Sequence, residues 1–254
     1  MKIETILTPA ELPALAQRDL RATACVVFDV LRATSTFVTA LHHGAKAIIP
    51  VSEIAEALAF WKSEVGSQKS EVVLLAGERN GVRISAGGLD FDLGNSPREF
   101  TPEIVRGKTI VSTTTNGTRA LRACANAETV LAASFLNLAA TADFLRRKNF
   151  ETILLVCAGT GENTALEDVL AAGALTELLA AREDARPTIS DATEIARQAW
   201  LEAKPDLSAE VGNAENARRL LAIPELRGDV AFCLQRDIFP LVAKMDADGA
   251  IRKI

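Results

Sequence analysis

"TACVVFDVLRATSTFVTALHHG", residues 23–44, decides how this chain is read. An apolar run breaks at an acid, a base and a cluster of small hydroxylated residues. It then resumes with apolar positions at helical spacing and stops at Gly44. That order predicts a buried strand, a strand-end turn and a helix packed back on the sheet, with Gly44 as the helix stop. The same rhythm recurs downstream. "AKAIIPV" precedes the helix-like "SEIAEALAFWKSEVG", for which Ser52 is the expected N-cap. "SEVVLLAGE" ends at Gly77 and Glu78, and "GKTIVSTT" breaks at "TNGT" before "RALRACANA". "TVLAASFL" precedes "LAATADFLRRKN", and "ETILLVCAGTGEN" precedes "TALEDVLAAGALTELLAA". Repeated strand, loop and helix units imply an α/β fold with layered α/β/α organisation and a largely parallel or mixed sheet. Residues 79–100 lack periodicity and read as a long loop of the kind that carries function. Residues 183–228 are more polar and helical, with breaks at Pro187, Pro205, Pro224 and Gly228. The expected organisation is a single α/β unit over 1–254, with 130–150 as the place to divide it if it has two lobes.

The bulk composition narrows the function. With 254 residues the chain has core enough to fold unaided, and its formal charge of -5 argues against nucleic acid as the main partner. No stretch reaches the roughly 18 apolar residues of a membrane span, and the first ten residues do not resemble a signal peptide. The expectation is a cytoplasmic protein acting on a small molecule; a homo-oligomer is compatible with the sequence. Cys25, Cys124, Cys157 and Cys233 are scattered, and only two histidines accompany them. Neither a zinc site nor a disulfide framework is expected, and the cysteines read as buried thiols.

In open α/β sheets ligands settle at the carboxyl ends of strands. Four such ends carry chemistry here. Asp29 closes an apolar run, where a carboxylate is costly without a partner. Arg32 is near enough to be that partner in a purely structural pair. The alternative makes Asp29 a magnesium ligand or nucleophile and Arg32 a fork for phosphate. A haloacid-dehalogenase phosphatase would need D-x-D-x-[TV], and residue 31 is Leu. "STTTNGTRAL" offers amides, hydroxyls and a helix start to an anion, though it is no Walker A loop. "GERNG" supplies Glu78 and Arg79, and "DFDLGNSPRE" supplies Asp90, Asp92, Asn95 and Ser96. In "CAGTGENTALED", acids at a helix start complement the macrodipole without needing a function. Glu162 is expected to be exposed, and one of the adjacent Glu167 and Asp168 is expected to reach the site. Oxygen ligands without imidazole or thiolate suit magnesium, which keeps waters and substrate phosphate in its shell.

Taken together, "DVLRATST", "GER", "LDFDLGNSP", "TTTNGT" and "CAGTGENTALED" resemble the 2-phosphosulfolactate phosphatase family in order and spacing. The resemblance is strong over about residues 24–180 and looser through "LRGDVAFCLQRDIFPLVAKM". It implies an α/β phosphatase with its active site in a cleft, hydrolysing 2-phospho-3-sulfolactate to 3-sulfolactate and phosphate with Mg2+, a step in coenzyme M biosynthesis. The alternatives are a phosphatase of another small phosphorylated hydroxy acid and a non-catalytic phosphometabolite binder. The run into Gly-Asn-Ser-Pro is longer here than the family pattern, so either Asp90 or Asp92 takes the family's place. The carried-over positions are Asp29, Arg32, Thr34 and Thr36, then Glu78 and Arg79, then Asp92, Asn95 and Ser96. Thr114, Asn116, Gly117 and Thr118 follow, with Gly159, Gly161, Glu167 and Asp168 last. The expected catalytic set is Asp29, Arg32 and Arg79, and the expected metal set is drawn from Asp29, Glu78, Asp92, Glu167 and Asp168. The remaining positions are expected to bind substrate.

Overall fold

The computed structural model describes all residues except 16, 66–72, 80, 87, 149 and 182–186. The predicted units form. Strand β1 spans Lys2–Ile6, followed by α1 (Leu12–Leu15), β2 (Thr23–Phe28), α2 (Ala33–His42), β3 (Ala47–Val51) and α3 (Ile54–Val65). Next come β4 (Val73–Arg79), β5 (Val82–Arg83), β6 (Ser85–Ala86), β7 (Leu89–Asp90), α4 (Pro102–Val105), β8 (Thr109–Thr113) and α5 (Gly117–Ala123). They are followed by β9 (Thr129–Ala133), α6 (Leu138–Lys148), β10 (Thr152–Cys157), α7 (Leu166–Ala180) and β11 (Thr188–Ile189). The chain finishes with α8 (Asp191–Ala203), α9 (Leu207–Gly212), α10 (Glu215–Leu221), α11 (Arg227–Cys233), β12 (Ala243–Met245) and β13 (Ile251–Lys253). Gly44 ends α2 with φ +92°. Ser52 stands one residue too early to cap α3; its N–H donates to Glu56 instead. Residues 79–100, expected as a loop, carry three two-residue strands.

Eleven strands join one sheet in the order β11-β1-β10-β2-β9-β12-β13-β3-β8-β4-β5. The run from β11 to β9 is parallel, and so is the run β3-β8-β4. The β12–β13 hairpin joins them through three antiparallel pairings, so the two runs point in opposite senses along the ladder. In β2 every residue is buried, as a central parallel strand requires. Val27 lies between Val156 and Ala132.

Side chains alternate across that strand and sort the layers. Ala24, Val26 and Phe28 pack with Ile153, Leu155, Leu145, Leu175 and Trp200, beneath α6, α7 and α8. Cys25 and Val27 face the other way, onto Phe37 and Leu41 of α2 and Leu121 of α5. The same cluster takes Ile48, Ile110 and Ala76 from β3, β8 and β4. Thus α2 and α5 are sandwiched between the two parallel runs, and α3 covers the far side of the second through Ala57, Leu75 and Val111. A twist of roughly 20° per strand accumulates over the ladder and curls the sheet around these two helices. Strand ends that a flat sheet would hold on opposite edges can therefore meet. All four cysteines are buried and free. No helix among the described residues is long and apolar enough to cross a membrane.

Candidate active site

The carboxyl ends of β2, β4, β8 and β10 meet at a cavity of about 250 Å3. Asp29, Leu31 and Arg32 form one wall, with Glu78, Gly81 and Asn95 beside them. Thr115, Asn116 and the glycine loop Gly159–Gly161 also line it, and Asn216, Arg219 and Leu220 of α10 complete the lining.

Two carboxylates are set into this wall by backbone amides. Asp29 Oδ1 accepts from Ala33 N at 3.1 Å, and the Gly117 backbone lies against the other oxygen. Glu78 Oε2 accepts from Gly81 N at 2.7 Å, while its Oε1 accepts from the Thr115 amide at 3.2 Å and hydroxyl at 3.1 Å. The loop that reads as a phosphate cradle therefore holds anions of the chain itself. Its Thr118 amide is also taken, by Thr114 Oγ1 at 3.2 Å. Burial pushes Asp29 up to about 6, and the negative charges of Glu78 and Glu167 add to that. The Ala33 and Gly117 amides pull the other way without cancelling it.

Gly117 is required by this contact. A Cβ there would lie 2.6 Å from Asp29 Oδ2 and 2.7 Å from the Ala33 Cβ. Gly117→Ala should destabilise the protein by about 1–3 kcal/mol through overpacking and displace the Asp29 carboxylate. Chemical denaturation together with phosphate-release kinetics checks both; a variant as stable and active as the parent refutes the contact.

Arg32 does not pair with Asp29. Its Nη1 donates to Asp229 Oδ2 at 2.6 Å and its Nη2 to Gly81 O at 3.3 Å, with both members of the ion pair buried. Asp229 also accepts from Ser96 Oγ at 2.7 Å and Arg98 Nε at 2.8 Å on its other oxygen. The structural Asp29–Arg32 pair weighed from the sequence is thus absent. A carboxylate from α11 fixes the guanidinium and leaves the Asp29 oxygens to the backbone and the cavity. Arg79 turns elsewhere, donating to Glu78 O, Ser52 O and Thr113 Oγ1, and it does not line the cavity.

Several expected residues support the site from behind. The Thr34 hydroxyl accepts from Asp29 N, and Thr36 Oγ1 donates to Asn95 O at 2.9 Å. The Thr118 hydroxyl donates to Thr114 O. Asp168 is buried behind the site and joins two strand ends. Its Oδ1 accepts from Val30 N at 2.8 Å and its Oδ2 from Gly159 N at 2.9 Å. Burial, followed by the charges of Glu167 and Asp29, pushes its carboxyl upward. Glu167 is equally buried; Oε1 accepts from Asn216 at 2.9 Å, whereas Oε2 has no partner among the described residues. Neither acid is part of the cavity wall, although Glu167 is close enough to act on Asp29. Gly159 has φ +68°, and a Cβ there would meet Asn163 O at 2.3 Å, so only glycine fits this turn. Asn116 Nδ2 donates to Gly159 O at 2.5 Å and ties the two loops together. Gly161 lines the cavity, and Glu162 is exposed and paired with Arg119. Asp90 and Asp92 are both exposed away from the cavity; Asp92 accepts from Leu75 N at the edge of the sheet.

Sequence reasoning passed over Asp229, Asn216, Arg219 and Thr115. Thr115 stands inside the quoted "TTTNGT" motif and Asp229 inside "LRGDVAFCL". Asn216 and Arg219 lie in a polar helical stretch that carries no motif. Among the described residues no three His, Cys, Asp or Glu side chains are arranged as a metal cluster. The carboxylates lining the cavity are Asp29 and Glu78, and this pair fits an ion that keeps most of its waters better than one held by an all-protein cage.

Three proteins similar to this one carry the same name. A chain from Caldanaerobacter subterraneus subsp. tengcongensis is 39% identical over 241 residues, covering 94% of each. One from Thermotoga petrophila is 43% identical over 218 residues, 85% of this chain and 86% of its own length. One from Parasynechococcus marenigrum is 34% identical over 254 residues, the full length of both. Each is called "Probable 2-phosphosulfolactate phosphatase". The family model described as 2-phosphosulpholactate phosphatase matches residues 7–248, and with that coverage the chain belongs to this family.

Proposed function

We propose that the protein hydrolyses the phosphate ester of 2-phospho-3-sulfolactate, giving 3-sulfolactate and phosphate, and that it does so with magnesium. The observation that carries this reading is the pairing of Asp29 and Glu78 on one cavity wall with the fixed guanidinium of Arg32. The relatives' shared name supplies the substrate.

The charges support the metal. The ionised groups lining the cavity are two acids and two arginines, and Asp229 already neutralises Arg32. A substrate bearing phosphate, carboxylate and sulfonate would be repelled without further positive charge. Asp29 and Glu78 would hold magnesium, each through lone pairs not used by the backbone amides. Bound there, the ion supplies charge neutralisation at the phosphate oxygens.

The chain's own residues do the rest. Arg32 faces the phosphate and takes up negative charge as the ester bond breaks. Asn95 borders the cavity and would offer its amide to the same oxygens, while Asn116, whose Nδ2 is held by Gly159 O, fixes the loop beside them. Asp29 acts either as nucleophile at phosphorus or as the base that takes a proton from attacking water. The stereochemical course at a chirally labelled phosphate separates the routes: two displacements through an aspartyl phosphate give retention at phosphorus, and direct attack by water gives inversion.

Phosphate release from 2-phosphosulfolactate should be readily measurable with magnesium and fall at least 100-fold in excess chelator, recovering when magnesium is restored. Turnover that survives chelation would remove the metal, and no turnover on this ester or on a panel of phosphorylated hydroxy acids would remove the phosphatase.

A further inference from the structure

We propose that Arg219, held by Asn216, binds the anionic end of the substrate that is not hydrolysed, and so sets a preference for phosphate esters carrying a second anion. The inference rests on the phosphatase reading above and adds a specificity residue to it.

Arg219 and Arg32 both line the cavity, but they are fastened differently. Arg32 is bound to a buried carboxylate, Asp229, at 2.6 Å. Arg219 Nη2 donates to the neutral amide oxygen of Asn216 at 2.7 Å; among the described residues no carboxylate lies within salt-bridge distance of it, and Glu167, on the other side of Asn216, feels its charge without touching it. An amide orients a guanidinium without neutralising it, so the charge and the remaining donors stay available to an anion.

Asn216 is itself locked. It is buried, and its Nδ2 donates to Leu31 O at 2.6 Å and to Glu167 Oε1 at 2.9 Å. Those two bonds determine which end of the amide is the oxygen, and the oxygen is what Arg219 meets. The result is a cation that α10 brings to the cavity lining, separate in the chain from the strand-end acids Asp29 and Glu78 that line the same cavity. A ligand whose phosphate is held at Asp29 and Glu78 would have its second anion within the same cavity as Arg219. Carboxylate and sulfonate share the chemistry that would satisfy it: oxygen anions able to accept from two guanidinium N–H groups.

The test compares wild type with Arg219→Gln and Arg219→Lys on three esters: 2-phosphosulfolactate, 2-phospholactate and p-nitrophenyl phosphate. Arg219→Gln should lower the preference for 2-phosphosulfolactate over p-nitrophenyl phosphate, as a ratio of kcat/KM, about 10- to 100-fold, mainly through KM. Arg219→Lys, keeping charge without the fork, should fall between. If the preference for 2-phospholactate drops equally, the carboxylate is the group bound; if it holds, the sulfonate is. An unchanged ratio overturns the inference while leaving the phosphatase standing. If wild type hydrolyses none of the esters, the phosphatase reading fails, and calorimetric titration with 3-sulfolactate still decides: weaker binding to Arg219→Gln supports the inference, and equal or undetectable binding to both proteins overturns it.

Discussion

Asp29→Asn is expected to lower kcat by roughly 1,000-fold or more and, in metal-free buffer near pH 7.5, to make the protein more stable than its parent. Both effects come from one buried carboxylate. Asp29 is 8% exposed and is pushed from an ordinary 3.8 up to about 6 by burial first, then by Glu78 and Glu167. A folded pKa above the unfolded one means that the native state prefers the protonated group. That stabilising preference is complete below about pH 3.8 and is lost as pH rises through about 6. At pH 7.5 the wild-type fold therefore holds an unfavourable charge that the amide removes. A shift of this size corresponds to about 3 kcal/mol. The amide keeps one acceptor oxygen where the carboxylate has two, and the loss of acceptance at the second takes back about 1 kcal/mol. The net gain is on the order of 1–2 kcal/mol. Melting both proteins in chelator from pH 4 to 8 should show the variant's advantage growing with pH and vanishing near pH 4. Added magnesium should raise the wild-type melting temperature and leave the variant's nearly unmoved. A variant that is less stable at pH 7.5, or whose difference does not change with pH, would count against a site held under electrostatic strain.

Asp229→Asn is expected to act in the opposite direction on stability. It leaves the Arg32 guanidinium, 3% exposed, without its counter-charge in the interior. Removing one member of a buried pair costs about 3–5 kcal/mol. The same change frees Arg32 from the orientation in which it faces the cavity, so the folded fraction should also lose kcat/KM. Urea denaturation reads the first effect and phosphate-release kinetics under folding conditions the second. Adding Arg32→Gln to the same chain should recover part of the stability, because no charge is then stranded, and none of the activity. If the double variant is no more stable than Asp229→Asn alone, the two residues are not coupled in the way their 2.6 Å contact implies.

The sheet was legible wherever a strand is long and buried on both faces. β2 and β10 are six-residue apolar runs, and periodicity alone finds them. The hairpin that joins the two halves of the sheet was not legible. "AKM" and "IRK" are three residues each, half polar, and without a pattern of period two long enough to recognise. β1 escaped for a related reason: in "KIETI" polar residues interrupt the apolar ones, and it becomes a strand by pairing with β10 and β11.

At the site, the sequence by itself determined which strand ends bear Asp29, Glu78, Asn116 and Gly159, because hydrophobic periodicity marks where a buried strand stops and its first polar residues emerge. The tertiary structure alone decided what each group does. Arg32 looks toward Asp29 three residues away in the chain and binds Asp229 almost two hundred residues away. The "TTTNGT" amides look free for phosphate, and those of Thr115 and Thr118 are spent on Glu78 and Thr114. The reason is physical. A charged or hydrogen-bonding group in an interior takes the partner that geometry brings within about 3 Å. That distance is set by how the sheet curls around α2 and α5, not by separation along the chain.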